Sequence, residues 1–274
     1  MHACLKACSA ALALLASLGS AQAAGCSSDP GGFPAWLEQF KQEAVGQGIS
    51  QQAVESALGD VTYDRSTISH DRGQKVFTQS FEQFSARMAN SFRVSKGRSL
   101  MRRYSDLFAR IEQDYGVPAP ILLSIWGLET DFGAYIGNFA TLRSLATLAY
   151  DCRRPEKFRA ELLDALRIVE RGDMNPAAMR GAWAGEIGQT QFMPSSYIKY
   201  AVDYDGNGRR DLVRSVPDVL ASTAKYLQGY GWQRGQGWDP GQPNFSVIQQ
   251  WNKSSVYSRT IALLADKIEG GGAQ

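Results

Sequence analysis

Apolar positions along the chain recur mostly at intervals of three and four, the spacing that lines one face of a helix. Alternating runs bounded by paired turn residues are scarce, so an all-α (mainly α) fold is predicted. Pro34 to Ala44 and Gln51 to Leu58 read as two short helices, the second capped by Ser50, with Gly46 and Gly48 between them. Phe77, Phe81, Phe84 and Met88 recur at helical spacing, and so do Leu100, Tyr104, Leu107, Phe108, Ile111 and Tyr115 behind a cap at Ser95. A helix buries one such stripe, so these aromatics are read as core and are assigned no chemistry. Pro118 and Pro120 open the run Ile121 to Leu128, which is almost continuously apolar and suits a helix enclosed by its neighbours. Pro155 opens another helix that Gly172 stops after about Arg171, and Asn175-Pro176 announces a turn. Pro217 opens one more, closed near Gly229. The last runs from Ser254 to Ile268, with Tyr257, Ile261, Leu264 and Ile268 on one face and Asn252 placed to cap it.

Composition changes this picture in three ways. The 29 basic and 27 acidic residues leave a formal charge of only +2, and the arginine pairs 102–103, 153–154 and 209–210 are interrupted by acids. A basic stripe is missing, so nucleic acid is excluded as a partner. The start, with Lys6, an apolar run from Ala10 to Leu18 and then Ala21-Gln22-Ala23, has the form of a secretory leader over 1–23. No later stretch approaches the ~20 apolar residues that a permanent span needs. A periplasmic, soluble protein is therefore expected. Lipoprotein anchoring at Cys26 is disfavoured, because Ala23 stands where a large aliphatic residue is usual. With Cys4 and Cys8 gone in the leader, Cys26 and Cys152 remain as an even pair in an oxidising compartment, and a disulfide between them is expected. Two separate buried thiols are the alternative, since spacing cannot show that the two positions meet.

One carboxylate stands out. Glu129 closes the most apolar helix of the chain, where desolvation and the negative end of the helix dipole both favour the protonated acid. Such a group can donate a proton near neutral pH. A glycosidase of the usual kind needs a second carboxylate. Asp131 would lie roughly 200° around a continuing helix from Glu129, a poor partner. Glu186, in the turn Gly185-Glu186-Ile187-Gly188, could approach, although turn glutamates are mostly solvated. One-carboxylate chemistry fits better than two.

Four motifs in order carry a resemblance: Gly127-Leu128-Glu129-Thr130-Asp131-Phe132-Gly133, Gly188-Gln189-Thr190-Gln191-Phe192-Met193-Pro194-Ser195-Ser196-Tyr197, Asp203-Tyr204-Asp205-Gly206-Asn207-Gly208 and Trp251-Asn252-Lys253-Ser254-Ser255-Val256-Tyr257. Over about 34–268 the chain resembles the lytic murein transglycosylase B family. The resemblance implies a lysozyme-like catalytic core with an additional helical domain. After the leader at 1–23, it implies an N-terminal helical region at 24–105, the core at 106–238 with an acidic calcium-type loop at 203–218, and a C-terminal helix in 239–274 packing back on the catalytic domain. It further implies cleavage of the β-1,4 bond between N-acetylmuramic acid and N-acetylglucosamine in peptidoglycan glycan strands, giving a 1,6-anhydro product, with Glu129 as acid and then base. Gln191, Phe192, Tyr226, Asn252 and Tyr257 match groups lining the sugar cleft, and Arg153 and Arg154 match a pair near it. Amides, phenols and aromatic faces suit sugars, and arginines suit the carboxylates of peptide stems. Three departures bear on subsite contacts: Ala182 replaces a serine, Lys225 an asparagine and Lys157 an aromatic residue.

Asp203, Asp205, Asn207, Arg209 and Asp211 fall at positions 1, 3, 5, 7 and 9 of a calcium loop, with Gly208 at the turning position. Position 12 is Arg214, so a standard EF-hand is not met, and Asp218 is the candidate for the missing oxygens. A structural Ca2+ or a metal-free Asp/Gly/Asn turn both fit. No cofactor is required for the chemistry. A hydrolytic muramidase and a non-catalytic peptidoglycan-binding protein are the competing readings. A monomer is expected, and wall-synthesis proteins enter as partners by analogy alone.

Overall fold

The computed structural model describes residues 25–73 and 79–270. The expected leader at 1–23, with Cys4 and Cys8, and the stripe residue Phe77 lie outside them. The described residues form thirteen α-helices: α1 Phe33–Gly46, α2 Gln51–Leu58, α3 Arg65–Arg72, α4 Phe81–Met88, α5 Ser91–Arg103, α6 Ser105–Tyr115, α7 Ala119–Thr130, α8 Thr141–Tyr150, α9 Pro155–Glu170, α10 Pro194–Tyr200, α11 Val216–Gly229, α12 Phe245–Trp251 and α13 Ser255–Glu269. Among the described residues the strand structure is small: a two-residue antiparallel pair, β1 Phe139–Ala140 with β2 Arg180–Gly181, and an isolated bridge between Ile187 and Phe192.

α7 is the axis of the molecule. Every one of its residues is buried except Glu129, and it is packed by α5, α6, α11 and α13. Its uniform apolarity therefore has a structural cause: apart from Glu129 at its end, no face of it meets water. α8 and α9 pack as a pair, with α1, α2 and α3 laid against them, while α13 also packs on α4 and α5. One apolar core runs through all of this, from Phe33 to Ile268. Cys26 is bonded to Cys152, tying the start of the described chain to the turn between α8 and α9.

Local rules account for most element ends. Ser50 caps α2, its Oγ accepting from the Ala53 N–H at 3.2 Å, and prolines stand in the first turn of α7, α9 and α11. Three sequence expectations are corrected. Ser95 lies inside α5, whose cap is Asn90, with Oδ1 accepting from the Arg93 N–H at 3.0 Å. The stripe from Leu100 to Tyr115 is broken at Tyr104 into α5 and α6. Ser254, not Asn252, caps α13, while the Asn252 Oδ1 accepts from the Ser254 N–H at 2.9 Å. α3, α8, α10 and α12 add helices that the sequence pattern does not announce.

Candidate active site

α7 ends abruptly. Asp131 and Phe132 take left-handed backbone, with φ of 50° and 60°, so the chain turns away immediately after Glu129 and Thr130. A non-glycine residue there is held by its surroundings. Arg93 supplies the hold: its Nε donates to the Gly127 carbonyl at 3.1 Å, and another guanidinium nitrogen lies 2.7 Å from Asp131 Oδ1. Asp131 is thus committed to an ion pair and does not line the cleft in which Glu129 lies. Gly127 packs under the Phe132 ring, where a Cβ would come within 2.8 Å of Cζ.

That cleft has a volume of about 380 Å3 and is lined by Glu129 together with residues of the 183–196 segment, α9, α11 and α12. Its floor is a tight reversal in which Ile187 and Phe192 exchange backbone hydrogen bonds at 2.7 and 3.0 Å. Gly188 sits in that reversal at φ 73°, where a Cβ would stand 2.2 Å from the Leu212 carbonyl oxygen, so only glycine fits. Thr130 Oγ1 donates to the Gln189 carbonyl at 2.6 Å and the Trp126 indole N–H to Gln189 Oε1 at 2.8 Å, fastening the floor to α7.

Glu129 keeps part of its side chain open to the cleft. Burial nevertheless raises its pKa from 4.5 to about 7, against the opposing hydrogen bonds from Trp251 and Tyr257, and the negative charge of Glu186 adds to the rise. The Trp251 Nε1–H and the Tyr257 O–H both donate to Glu129 Oε1, at 2.9 and 2.8 Å. Burial, followed by the Glu129 charge, raises the Tyr257 phenol well above 10, so it remains a donor. Glu186 is partly buried on the same cleft wall rather than solvated, accepts from the Ala184 N–H at 3.0 Å, and is itself raised by burial.

The expected site residues divide in two. Glu129, Gln191, Phe192, Tyr226, Asn252 and Arg154 line the cleft, and Tyr257 reaches it through Glu129. Phe192 and Tyr226 are buried edge-to-face neighbours of each other and of Trp251, and the Tyr226 hydroxyl donates to the Gln250 carbonyl at 2.9 Å. The Gln191 amide holds backbone: Oε1 accepts from Ala182 N–H at 3.0 Å, and Nε2 donates to the carbonyls of Gly188 and Ile136 at 2.6 and 3.0 Å. It shapes the cleft wall while its polar atoms are committed to the fold. Arg153 does not line the cleft. It donates to the buried Asp71 on α3 at 2.7 Å, and Arg154 pairs with the other oxygen of the same carboxylate. Trp251, absent from the expected set, is a direct partner of Glu129, and Lys157, Trp183 and Met193 also line the cleft.

Behind the cleft, Asp203, Asp205 and Asp218 bring one carboxylate oxygen each within 4.8 Å of one another. Asp218 is fully buried and accepts from the Tyr204 and Asp211 N–H groups at 2.7 and 2.8 Å. Asp211 turns Oδ1 to the Val213 and Arg214 N–H groups and is not part of that carboxylate cluster, while Asn207 Oδ1 accepts from the Arg209 N–H. A set of hard oxygen donors, converging with one member buried, suits a hard divalent cation.

A helical fold that brings a carboxyl group with a raised pKa to a cleft walled by aromatic rings, with Glu186 on the same wall, is a site of the glycan-cleaving class. The chain belongs to the transglycosylase SLT domain family, whose model matches residues 32–242. It is 38% identical over 159 residues to the membrane-bound lytic murein transglycosylase B of Escherichia coli strain K12, a match covering 55% of this chain and 44% of the relative's length. The chain thus matches less than half of that curated relative. Among solved structures, SltB3 from Pseudomonas aeruginosa in complex with NAG-NAM-pentapeptide superposes with a TM-score of 0.84 at 32% identity, covering 88% of this chain and 80% of that one. The Escherichia coli lytic transglycosylase Slt35 in complex with calcium gives 0.76 at 26% identity, with 85% and 92% covered. The fold is the all-α, lysozyme-like fold of these lytic transglycosylases.

Proposed function

We propose that the chain is a peptidoglycan lytic transglycosylase that cleaves the β-1,4 bond between N-acetylmuramic acid and N-acetylglucosamine and leaves a 1,6-anhydromuramoyl end. The observation that carries this reading is Glu129: a carboxylic acid raised to about 7, lining a cleft and gripped by two donors. In its protonated form Glu129 gives its proton to the glycosidic oxygen as the C1–O bond breaks. The resulting carboxylate then takes the proton of the muramyl C6 hydroxyl while O6 bonds to C1, which returns Glu129 to its starting state without consuming water. An acid poised near neutrality serves both halves. The SltB3 complexes with NAG-NAM-pentapeptide and NAG-anhNAM-pentapeptide support the substrate and the product for this chain. Arg154 and Lys157 on the cleft wall suit the carboxylates of peptide stems.

Glu186 favours one other reading, a hydrolytic muramidase, because a second carboxyl group lines the same cleft. Digestion of purified sacculi separates them by product mass, since hydrolysis adds a water that ring closure does not. Glu129→Gln is expected to lower product release by roughly two to four orders of magnitude. Equal release from both proteins would remove Glu129 from the chemistry.

The cluster at Asp203, Asp205 and Asp218 is proposed to hold Ca2+ as a brace for the loop, with no part in bond cleavage. The protein is proposed to act after export, in the compartment that holds the wall. The Escherichia coli relative is membrane-bound by name. In this chain the Cys26 sulfur is bonded to Cys152, and one sulfur cannot also carry a lipid thioether, which supports a soluble form. The intact mass of the exported protein decides between them.

A further inference from the structure

Two donors from different helices meet on one oxygen. Trp251 ends α12, where its ring is wedged edge-to-face against Phe192 and Tyr226 at centroid distances of 5.6 and 4.9 Å. Tyr257 stands in the first turn of α13, buried, with its ring 6.0 Å from that of Phe84. Neither side chain is free to follow Glu129 if the carboxyl group rotates. Both nonetheless reach Oε1, at 2.9 and 2.8 Å.

The indole N–H can only donate, so Oε1 must accept from it whatever the protonation state of Glu129. In a neutral carboxylic acid the carbonyl oxygen has two lone pairs to offer, whereas the hydroxyl oxygen is a poor acceptor and needs a partner for its own proton. With the proton on Oε1, the Tyr257 hydroxyl, which can accept as well as donate, would have to turn and give up the bond it donates to Oε1. Both donors keep the bonds they make only when Oε1 is the carbonyl oxygen. We propose that Trp251 and Tyr257 fix Oε1 of Glu129 as the accepting oxygen, so that the transferable proton is carried on Oε2, and that Trp251 is a positioning residue for this acid. It follows that one oxygen serves both halves of the reaction: Oε2 gives its proton to the leaving oxygen and takes the next from the C6 hydroxyl. Oε1 stays held throughout and draws the growing negative charge of the carboxylate toward two N–H and O–H dipoles. Only the use made of the proton rests on the function proposed above; its location rests on the hydrogen bonds.

The test replaces the indole N–H without changing the ring. Trp251 exchanged for 3-benzothienylalanine, in which sulfur stands for N–H, keeps the packing against Phe192 and Tyr226, and Trp251→Phe serves as a second variant. The Glu129 carboxyl is followed by carbon NMR on the whole protein without substrate. Loss of a donor to the carboxylate should raise its titration midpoint by about one pH unit in either variant. On sacculi, kcat should fall on the order of tenfold with KM within about twofold, and the alkaline limb of the pH profile should move upward with the midpoint. An unchanged or lowered midpoint would overturn the proposal, and so would a raised KM at constant kcat, which would make Trp251 a sugar platform instead. Should Glu129→Gln prove fully active while the midpoint still rises, the function fails and the proton assignment stands.

Discussion

Glu129 is an acid that the fold keeps reluctant to ionise, and this has a price in stability that can be read against pH. In the unfolded chain its carboxyl releases the proton near 4.5, whereas in the folded protein burial holds the proton to about 7. Retention of the proton therefore supports the native state in full below about 4.5, and that support is lost as the pH rises through about 7. The amide that replaces the acid in a Glu129→Gln variant has no such proton to lose. Denaturant unfolding should find this variant close to wild type at about pH 4 and more stable than wild type by about 1–3 kcal/mol at about pH 8, the lower end applying because part of the side chain meets solvent. A difference that stays flat across that range would mean that Glu129 ionises as it does in an open chain. The gain in stability would accompany the loss of activity, the usual opposition between a strained functional group and the fold that carries it.

At the scale of elements, the acidic loop 203–218 gathers like charges in a small space. Asp203, Asp205 and Asp218 crowd three carboxylates together, and Asp218, buried at the start of α11, has its pKa raised by that burial. A divalent cation would relieve the repulsion, so calorimetry on chelator-treated protein should show calcium binding, and about 1 mM Ca2+ should raise the melting temperature by roughly 2–8 °C. No heat and no change in melting temperature would leave the loop as a turn held by its own hydrogen bonds. The loop was legible in the sequence because its Asp/Asn/Gly positions follow a fixed spacing. So were α7, α9 and α11, which carry prolines at their starts, and the isolated apolar run that delivers Glu129. α8 was not, because Ala140 makes no cap and its ten residues carry neither proline nor glycine to mark an end. α12 has only seven residues, too few for a period to emerge. The site shows the same division. Glu129 announces itself through its neighbours in sequence, but the partners of Arg153 and Trp251 lie 82 and 122 positions away, where local pattern carries no information. Gln191 lines the cleft wall, and the commitment of its amide to Ala182, Gly188 and Ile136 depends on tertiary closure alone.

At the scale of the whole molecule, the bond between Cys26 and Cys152 encloses a loop with a sequence separation of 126. Closing so long a loop in the unfolded chain removes much of its freedom, and reduction is expected to cost about 2–5 kcal/mol. Melting with and without a reductant measures this; an unchanged transition would show that the unfolded chain is already compact without the link. The loop contains α1 to α8, and the core it encloses is continuous with that of α9 to α13. Destabilisation at the N-terminal helices is thus transmitted to the walls of the cleft. The hydrogen bonds on Glu129 add a consequence in time. The acid is made near the middle of the chain, and the two groups that hold it arrive 122 and 128 residues later. A polypeptide emerging from the ribosome therefore carries the Glu129 carboxyl unaligned until the last helix is delivered, and a copy ended before Trp251 would lack both donors that hold it.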